Sequence, residues 1–274
     1  MNYALKNIKD IRTIMASIRR NGGSVLTNYY NQCNHLDIRF KTWTSSRAIV
    51  FEWIDLGIKR IYFYATDEKE LTELLSLVDV GSVIDFITKD KNDLRQVFQK
   101  ANYRLHLEYG RFCVKPRTKQ AQELYDLVHD EDVFNQVTKN DLYGEPALIE
   151  DAETIDRQLR EEFDPFEAHF YSLEQLRENI KKGWVWVARK DGEIIAANLF
   201  EIQGRKAYGA YLYNRGNIDV LCSLIANTDN YVAKLGVTYS YCWMRLTNKR
   251  IIRYNMKYNG YVPDGVFDMI YIKE

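Results

Sequence analysis

The sequence WVWVARKDGEIIAANLFEI, residues 184–202, reads as two β-strands joined by a tight turn. Asp191 and Gly192 can supply the positive φ angles of a two-residue hairpin turn, and both flanks are rich in β-branched and aromatic residues. A third strand is predicted after Gly204, in KAYGAYLYN at 206–214. We expect these three strands to be antiparallel neighbours in one sheet.

Helices and further strands are predicted on both sides of this hairpin. A capping box, Ser172 with Gln175, opens one helix, and Gly236 ends another. The predicted helices cover 151–163, 172–183, 219–236 and 248–260, and the predicted strands cover 237–246 and 261–274, the last interrupted at 263–265. The C-terminal half therefore has the order α-α-β-β-β-α-β-α-β.

The first half of the chain repeats the end of that order. Residues 58–114 read as strand, helix, strand, helix, strand, which makes an internal duplication the economical interpretation. We predict an N-terminal domain at 1–114, a polar connector at 115–143 and a C-terminal domain at 144–274. The predicted fold class is α/β, with two tandem domains that each contain a mixed, mainly antiparallel sheet flanked by helices.

Composition excludes several classes of protein. The formal net charge of this 274-residue chain is zero, so no overall field attracts it to DNA or to an anionic membrane. No apolar stretch has the length of a signal peptide or a membrane span, and we expect a cytoplasmic protein. The cysteines and histidines are scattered without ligand spacing, so no metal site is predicted. The four histidines are His35, His106, His129 and His169.

At three places the sequence resembles the GNAT superfamily of acyl-CoA-dependent N-acyltransferases. These are ALIEDAETI at 147–155, the hairpin VARKDGEIIAANLFEI at 187–202, and the closing helix that runs into NGY at 259–261. The resemblance implies two GNAT-like domains, with acetyl-CoA or another acyl-CoA as co-substrate of the second. In the first domain, YATDEKE at 64–70 has no glycine and several acids, so we expect no coenzyme site there.

The resemblance places the coenzyme at the loop between the fourth strand and the next helix. The family's loop has the form Gln/Arg-x-x-Gly-x-Gly/Ala, and YNRGNID at 213–219 matches it only at Gly216. We expect Gly216 to adopt left-handed geometry and admit a phosphate, with Arg215 adding a charged contact, while Asp219 favours a simple capped turn instead. The implied coenzyme-binding residues are Tyr211, Leu212, Tyr213, Arg215, Gly216, Asn217, Ile218 and Asn248.

Acyl transfer also needs a base for the amine and an acid for the leaving sulfur. The resemblance implies a tyrosine of the last helix as the acid, either Tyr254 or Tyr258, although core packing also explains both. Glu201, at the end of a predicted strand, is the candidate base, with an exposed ion pair as the alternative. The loop between the first two helices supplies the candidate acceptor-binding residues Asp164, Glu167 and His169, or is an ordinary polar loop.

The predicted function is direct transfer of an acyl group, most simply acetyl, from coenzyme A to an amine. Two alternatives stay open. One is a Fem-type transferase that uses aminoacyl-tRNA and does not need the pyrophosphate loop; the other is a non-catalytic GNAT-like binding protein. The acceptor is a small molecule or a peptide amine, and tRNA is a partner only under the first alternative.

Overall fold

The computed structural model describes residues 2–5, 8–29, 40–114 and 144–274, with no side-chain description at 2–5, 40, 230 and 258. The predicted connector, 115–143, lies outside the described residues. The chain divides into two compact units, of which the first comprises 1–109 with 266–274 and the second comprises 110–265.

The described elements follow one another along the chain in this order. The first half contains β1 (Asn2–Leu5), α1 (Ile8–Arg20), β2 (Leu26–Thr27), β3 (Phe40–Thr44), β4 (Ala48–Asp55), β5 (Ile58–Ala65), α2 (Glu68–Ser76), β6 (Val83–Thr88), α3 (Arg95–Lys100) and β7 (Tyr103–Val114). The second half contains β8 (Glu145–Pro146), a 3₁₀ turn (Ile149–Asp151), α4 (Ala152–Glu162), α5 (Leu173–Lys181), β9 (Val185–Lys190), β10 (Glu193–Gln203), β11 (Lys206–Asn214), α6 (Ile218–Lys234), β12 (Tyr239–Arg245), α7 (Lys249–Tyr258) and β13 (Val262–Lys273).

In the first unit the strands of the sheet lie in the order β1-β3-β4-β5-β6-β13-β7, with β2 beside β5. Both faces of this sheet carry apolar residues. Helix α1 buries Ile11, Met15 and Ile18, spaced at three to four residues, against the face that carries Phe51. Because side chains alternate along a strand, Val50 lies on the other face, in the same cluster as the buried leucines of α2.

The second unit confirms the predicted hairpin. Asp191 and Gly192 have φ angles of 52° and 83°, and β9 pairs antiparallel with β10. Helices α4 and α5 cover the face of β10 that carries Leu199, while α6 packs on the face that carries Ala196. The Ser172 capping box and the helix end at Gly236, whose φ is 77°, are also as predicted.

The last strand of each half, β7 and β13, departs from the predicted domain ranges. Residues 266–274 belong to the first unit, where β13 pairs antiparallel with β6 from Phe267 opposite Thr88 to Ile272 opposite Val83. Residues 110–114 of β7 belong to the second unit. The predicted interruption at 263–265 was wrong, because β13 runs unbroken through these residues with φ of 75° at Gly265. A glycine tolerates that angle inside a strand, so the pattern Pro-Asp-Gly did not require a break.

Candidate functional site

The fourth and fifth strands of the C-terminal half, β11 and β12, diverge. They pair in parallel over four positions, from Lys206 opposite Tyr239 to Gly209 opposite Cys242. The register between these two described strands ends there, although β11 continues to Asn214 and β12 to Arg245. The divergence opens a wedge between the two strands, in which an extended ligand can lie alongside β11 as an added strand would.

A β-bulge marks the start of the divergence. On the other side of β11, Leu199 pairs with Tyr211 and Phe200 pairs with Gly209, which leaves Ala210 as an extra residue. Bulges bend a strand and increase its twist. The bulge therefore gives a local reason for β11 to turn away from β12 at this point.

Side chains on both faces hold this part of β11. The ring of Tyr211 packs edge-on against Phe163, with 5.1 Å between centroids, and Leu212 packs beside the α6 residues on the opposite face. Tyr213 is buried and its hydroxyl donates a hydrogen bond to Gln158. The predicted residues Tyr211, Leu212 and Tyr213 therefore present backbone to the divergence while their side chains serve packing.

The loop after β11 uses most of its own N–H groups. The N–H of Arg215 donates to the carbonyl of Ile195 at 2.7 Å, and that of Gly216 donates to Oδ1 of Asn214 at 3.0 Å. Asn217 is the N-cap of α6, and its Oδ1 accepts from the N–H groups of Asp219 and Val220, both at 3.1 Å. Among the described residues, only the N–H groups of Asn217 and Ile218 lack a partner in this loop.

The charge of the loop also differs from that of an anion site. Arg215 is paired with Glu161 and Glu162 of α4, at 2.7 Å from each carboxylate. Asp219 adds a third acid in the first turn of α6. A diphosphate placed here would meet three carboxylates beside one guanidinium, and would have to displace an existing cap. The loop as it stands does not fit the diphosphate of coenzyme A.

Gly216 has a different purpose from the one predicted. Its φ angle is not positive, so the expectation of left-handed geometry was wrong. A Cβ at this position would lie 2.9 Å from Cγ2 of Val220 and 3.2 Å from Cδ1 of Ile195. Glycine is needed because the loop backbone lies against the first turn of α6, and not for its backbone freedom.

Glu201 lies beside the paired part of β11. Its Oε1 accepts a 2.5 Å hydrogen bond from the hydroxyl of Tyr171, which precedes α5. Burial and the negative charge of Glu201 raise the pKa of Tyr171 well above its usual value, so Tyr171 stays a proton donor. On the sheet, Glu201 pairs with Tyr208, and Tyr208 pairs with Tyr241 of β12. The rings of Tyr208 and Tyr241 stack at 5.1 Å, so a row of polar aromatic side chains extends from Glu201.

Arg111 ends this row. Its guanidinium lies over the rings of Tyr241 and Trp243 of β12, at 5.8 and 5.9 Å from their centroids. Its Nε donates to Oδ2 of Asp264 at 2.7 Å. Sequence reasoning missed Arg111, Tyr171, Tyr208 and Tyr241. The alternation of aromatic residues at 239, 241 and 243 was the available signal, because alternate residues of a strand share a face.

The predicted acceptor residues lie in the loop between α4 and α5. Oδ1 of Asp164 accepts from the N–H of Phe166 at 2.8 Å, and His169 is half-buried in the same loop. The carboxylate of Glu167 pairs at 2.8 Å with Arg245, the last residue of β12. This ion pair ties the loop to the end of β12, beside the divergence from β11.

The last helix contributes Asn248 and Tyr254 with clear partners. Oδ1 of Asn248 caps α7 by accepting from the N–H of Ile251 at 3.2 Å. The hydroxyl of Tyr254 donates to Sγ of Cys222 on α6 at 2.9 Å, so α7 lies on the α6 side of the sheet. The side chain of Tyr258 lies outside what the structure describes. The roles predicted for these three residues stay predictions.

Metal binding and membrane insertion would each need a recognisable feature in the described part of the chain. Within it, no group of three His, Cys, Asp or Glu side chains is placed to hold a metal ion. Nor does this part of the chain contain a helix that is both long and apolar enough to cross a membrane.

Comparison with known proteins gives matches among solved structures. No protein-family profile and no curated protein sequence matches the chain. A GCN5-related N-acetyltransferase from Sphaerobacter thermophilus aligns with a TM-score of 0.54 at 11% identity, over 83% of this chain and 76% of that one. A GNAT-family acetyltransferase from Colwellia psychrerythraea aligns with a TM-score of 0.51 at 12% identity, over 99% of this chain and 98% of that one. A GCN5-related N-acetyltransferase from Kribbella flavida aligns with a TM-score of 0.51 at 8% identity, over 99% of this chain and 71% of that one. The protein has the fold of the GNAT N-acetyltransferases.

Proposed function

We propose that this protein transfers an acyl group from a pantetheine thioester to an amine, with acetyl-CoA as the simplest donor. The observation that carries the proposal is the divergence of β11 from β12 after Gly209, which begins just past Tyr208, the cross-strand partner of Glu201. A pantetheine arm contains two amides, and these would pair with β11 as the backbone of an added strand does. Its thioester end would then lie near the row of Glu201, Tyr208 and Tyr241.

In this proposal Glu201 accepts the proton of the incoming amine. The amine nitrogen forms a bond to the acyl carbon, the carbon–sulfur bond breaks, and the released thiolate takes a proton. Tyr171 fixes the carboxylate of Glu201 through their hydrogen bond. Tyr254 and Tyr258 are the proposed sources of the proton for sulfur, and Tyr254 would first have to release Cys222.

The loop at 214–219, here called the closed loop because its own groups are mostly paired, can contribute little binding energy to the diphosphate of the donor. Because its charges and most of its N–H groups are already paired, we propose that the pantetheine arm, rather than the diphosphate, supplies most of the donor's binding energy. Asn248, at the start of α7, stays a candidate for contact with the thioester end.

The same closed loop favours a second candidate, in which the donor is aminoacyl-tRNA and no diphosphate is bound. Helix α7 exposes Lys249, Arg250 and Arg253 and has no acidic residue in its first turn. A phosphate backbone could contact such a basic helix face. In the third candidate function, the protein binds a ligand in this fold and catalyses no reaction.

The test is an acylation assay with acetyl-CoA and a mixture of small amines and short peptides, in which released thiol and product masses are measured. We expect the Glu201→Gln variant to lower kcat by about 10²- to 10⁴-fold, the usual contribution of a general base. Glu193→Gln, an exposed position at the other end of β10, is the matched control and should retain activity. Absence of any acylated product from the unmodified protein would refute the proposal. Binding of tRNA that weakens steeply with salt would then favour the second candidate.

A further inference from the structure

We infer that the acceptor amine carries a carboxylate, which Arg111 binds while the amine faces Glu201. This inference rests on the proposed acyl transfer and adds the chemical class of the acceptor. The observations behind it are the position of Arg111 in the aromatic row, its unused donors, and the opposite charges at the two ends of the row.

Arg111 is held in a fixed position. Its guanidinium lies over Tyr241 and Trp243, and its Nε is hydrogen bonded to Asp264, whose side chain is only 11% exposed. Stacking on aromatic faces and a carboxylate at Nε both orient the planar guanidinium. Arg111 therefore keeps one orientation before any ligand arrives.

The outer edge of this guanidinium is available. Among the described residues, Asp264 is the only hydrogen-bonding partner of the Arg111 side chain, through Nε, and the two Nη groups have none. The Arg111 side chain is 32% exposed. Two parallel N–H groups on a half-exposed guanidinium match the geometry of a carboxylate, which they can bind through two hydrogen bonds.

The row has a negative end and a positive end. Glu201 pairs with Tyr208, whose ring is 5.1 Å from that of Tyr241, and Arg111 follows 5.8 Å beyond. The hydroxyl of Tyr241 responds to both charges: burial raises its pKa, the positive charge of Arg111 opposes that rise, and Glu201 adds to it. An ammonium group is attracted to the Glu201 end and a carboxylate to the Arg111 end.

The spacing of the row selects among such acceptors. Glu201 and Arg111 lie on strands three spacings apart, about 14 Å between backbones at about 4.8 Å per strand, and the Arg111 guanidinium lies over Tyr241 of the adjacent strand β12. The α-amine of a free amino acid is too close to its own carboxylate to contact both groups. The side-chain amine of free lysine, or the amino end of a short peptide, has the required separation.

The experiment compares acylation of lysine and of lysinamide, which differ at the carboxylate. We expect kcat/KM to be about 10- to 100-fold higher for lysine in the unmodified protein, the usual effect of a charge-assisted pair. In Arg111→Met, which keeps the aliphatic stem over the rings, this ratio should fall close to one. Arg104→Met, an exposed position on the same strand in the first unit, should retain the ratio.

Two further variants separate folding from specificity. Arg111→Met leaves the carboxylate of Asp264 without its guanidinium and can destabilise the fold. If circular dichroism shows that the single variant is unstable, the double variant Arg111→Met/Asp264→Asn, which removes both charges, replaces it in the comparison. Arg111→Lys keeps the charge without the two-pronged geometry and should give an intermediate ratio. Equal use of lysine and lysinamide by the unmodified protein would overturn the inference and leave the acyl transfer standing. Acylation of no amine at all would overturn both.

Discussion

The hydroxyl of Tyr171 donates a 2.5 Å hydrogen bond to Oε1 of Glu201, which lies 30 positions later in the sequence. The bond joins Tyr171, two residues before α5, to the far end of β10, and both side chains are half-buried. It holds the carboxylate of Glu201 beside Tyr208, at the point where β11 starts to leave β12. The proposed base therefore has a fixed position relative to the part of β11 that would hold the donor.

Replacing Tyr171 by Phe should lower kcat by about 10-fold and change KM less, because the carboxylate of Glu201 loses the partner that positions it. The ring would keep its edge-on packing against Tyr211. Steady-state kinetics of Tyr171→Phe measure this effect, and Tyr64→Phe in the first unit is the matched control. A Tyr171→Phe enzyme with unchanged kcat would show that this hydrogen bond does not position the base.

Removing the acids that face Arg215 should open the loop to a diphosphate. In the Glu161→Gln/Glu162→Gln variant, Arg215 loses both carboxylate partners and the loop loses two negative charges. We expect acetyl-CoA to bind about 10-fold more tightly at low salt, with a smaller gain at high salt because these groups are exposed.

Calorimetric titration measures this gain. Glu178→Gln on α5, where the glutamate pairs at 2.6 Å with Lys181 of the same helix, is the control. An unchanged affinity for acetyl-CoA in the double variant would mean that the diphosphate does not approach this loop.

The cap of α6 should contribute measurable stability. Asn217→Ala leaves the N–H groups of Asp219 and Val220 without their acceptor and should lower the free energy of unfolding by about 1 kcal/mol. Asn217→Ser supplies another capping oxygen and should recover most of the loss. Urea unfolding of both variants gives the comparison, and equal destabilisation would argue against a capping function.

Stability of the first unit should fall as pH rises above about 4, because of Asp268. Its Oδ1 is buried and has no hydrogen-bond partner among the described residues. Burial and the nearby Asp85 raise the pKa of Asp268 well above its usual value, while the positive charge of Arg60 opposes the rise. A carboxyl whose pKa is raised on folding stabilises the folded state below its unfolded pKa. That stabilisation is lost as pH climbs towards the folded pKa.

Asp268→Asn cannot ionise and should remove this loss. Its advantage over the unmodified protein should grow with pH, by up to about 1.4 kcal/mol per pH unit, until the folded pKa is passed. Urea unfolding at pH 5 and pH 8 tests the prediction, with Asp191→Asn in the exposed hairpin turn as control. A difference between variant and unmodified protein that is the same at both pH values would contradict it.

Local signals in the sequence predicted the elements of the C-terminal half well. The Asp191-Gly192 turn, the Ser172 capping box and the stop at Gly236 each act within a few residues, so the sequence alone indicates them. The elements within residues 1–57 were not assigned. The pairing of β7 and β13, the last strands of the two halves, was also not predictable. These two strands show the same local pattern, and the distant partners that distinguish them are not visible in it.

The candidate site was less predictable for the same reason. The closing of the loop depends on Arg215 meeting Glu161 and Glu162, more than 50 positions earlier in the chain. Arg111 gains its aromatic neighbours from a strand at 239–245, and no motif in the sequence joins them. Glu201 was selected from its place at a strand end, but its partner Tyr171 became visible only in the folded chain.

Binding of the acyl donor along β11 is tested most directly by hydrogen exchange of the backbone amides at 206–214, measured with and without millimolar S-acetylpantetheine or acetyl-CoA. S-acetylpantetheine lacks the diphosphate and the nucleotide, so it reports on β11 alone. We expect slower exchange at 206–214 with both compounds and no change in β4 and β5 of the first unit. Exchange at 206–214 that neither compound slows would contradict the claim that β11 binds the acyl donor.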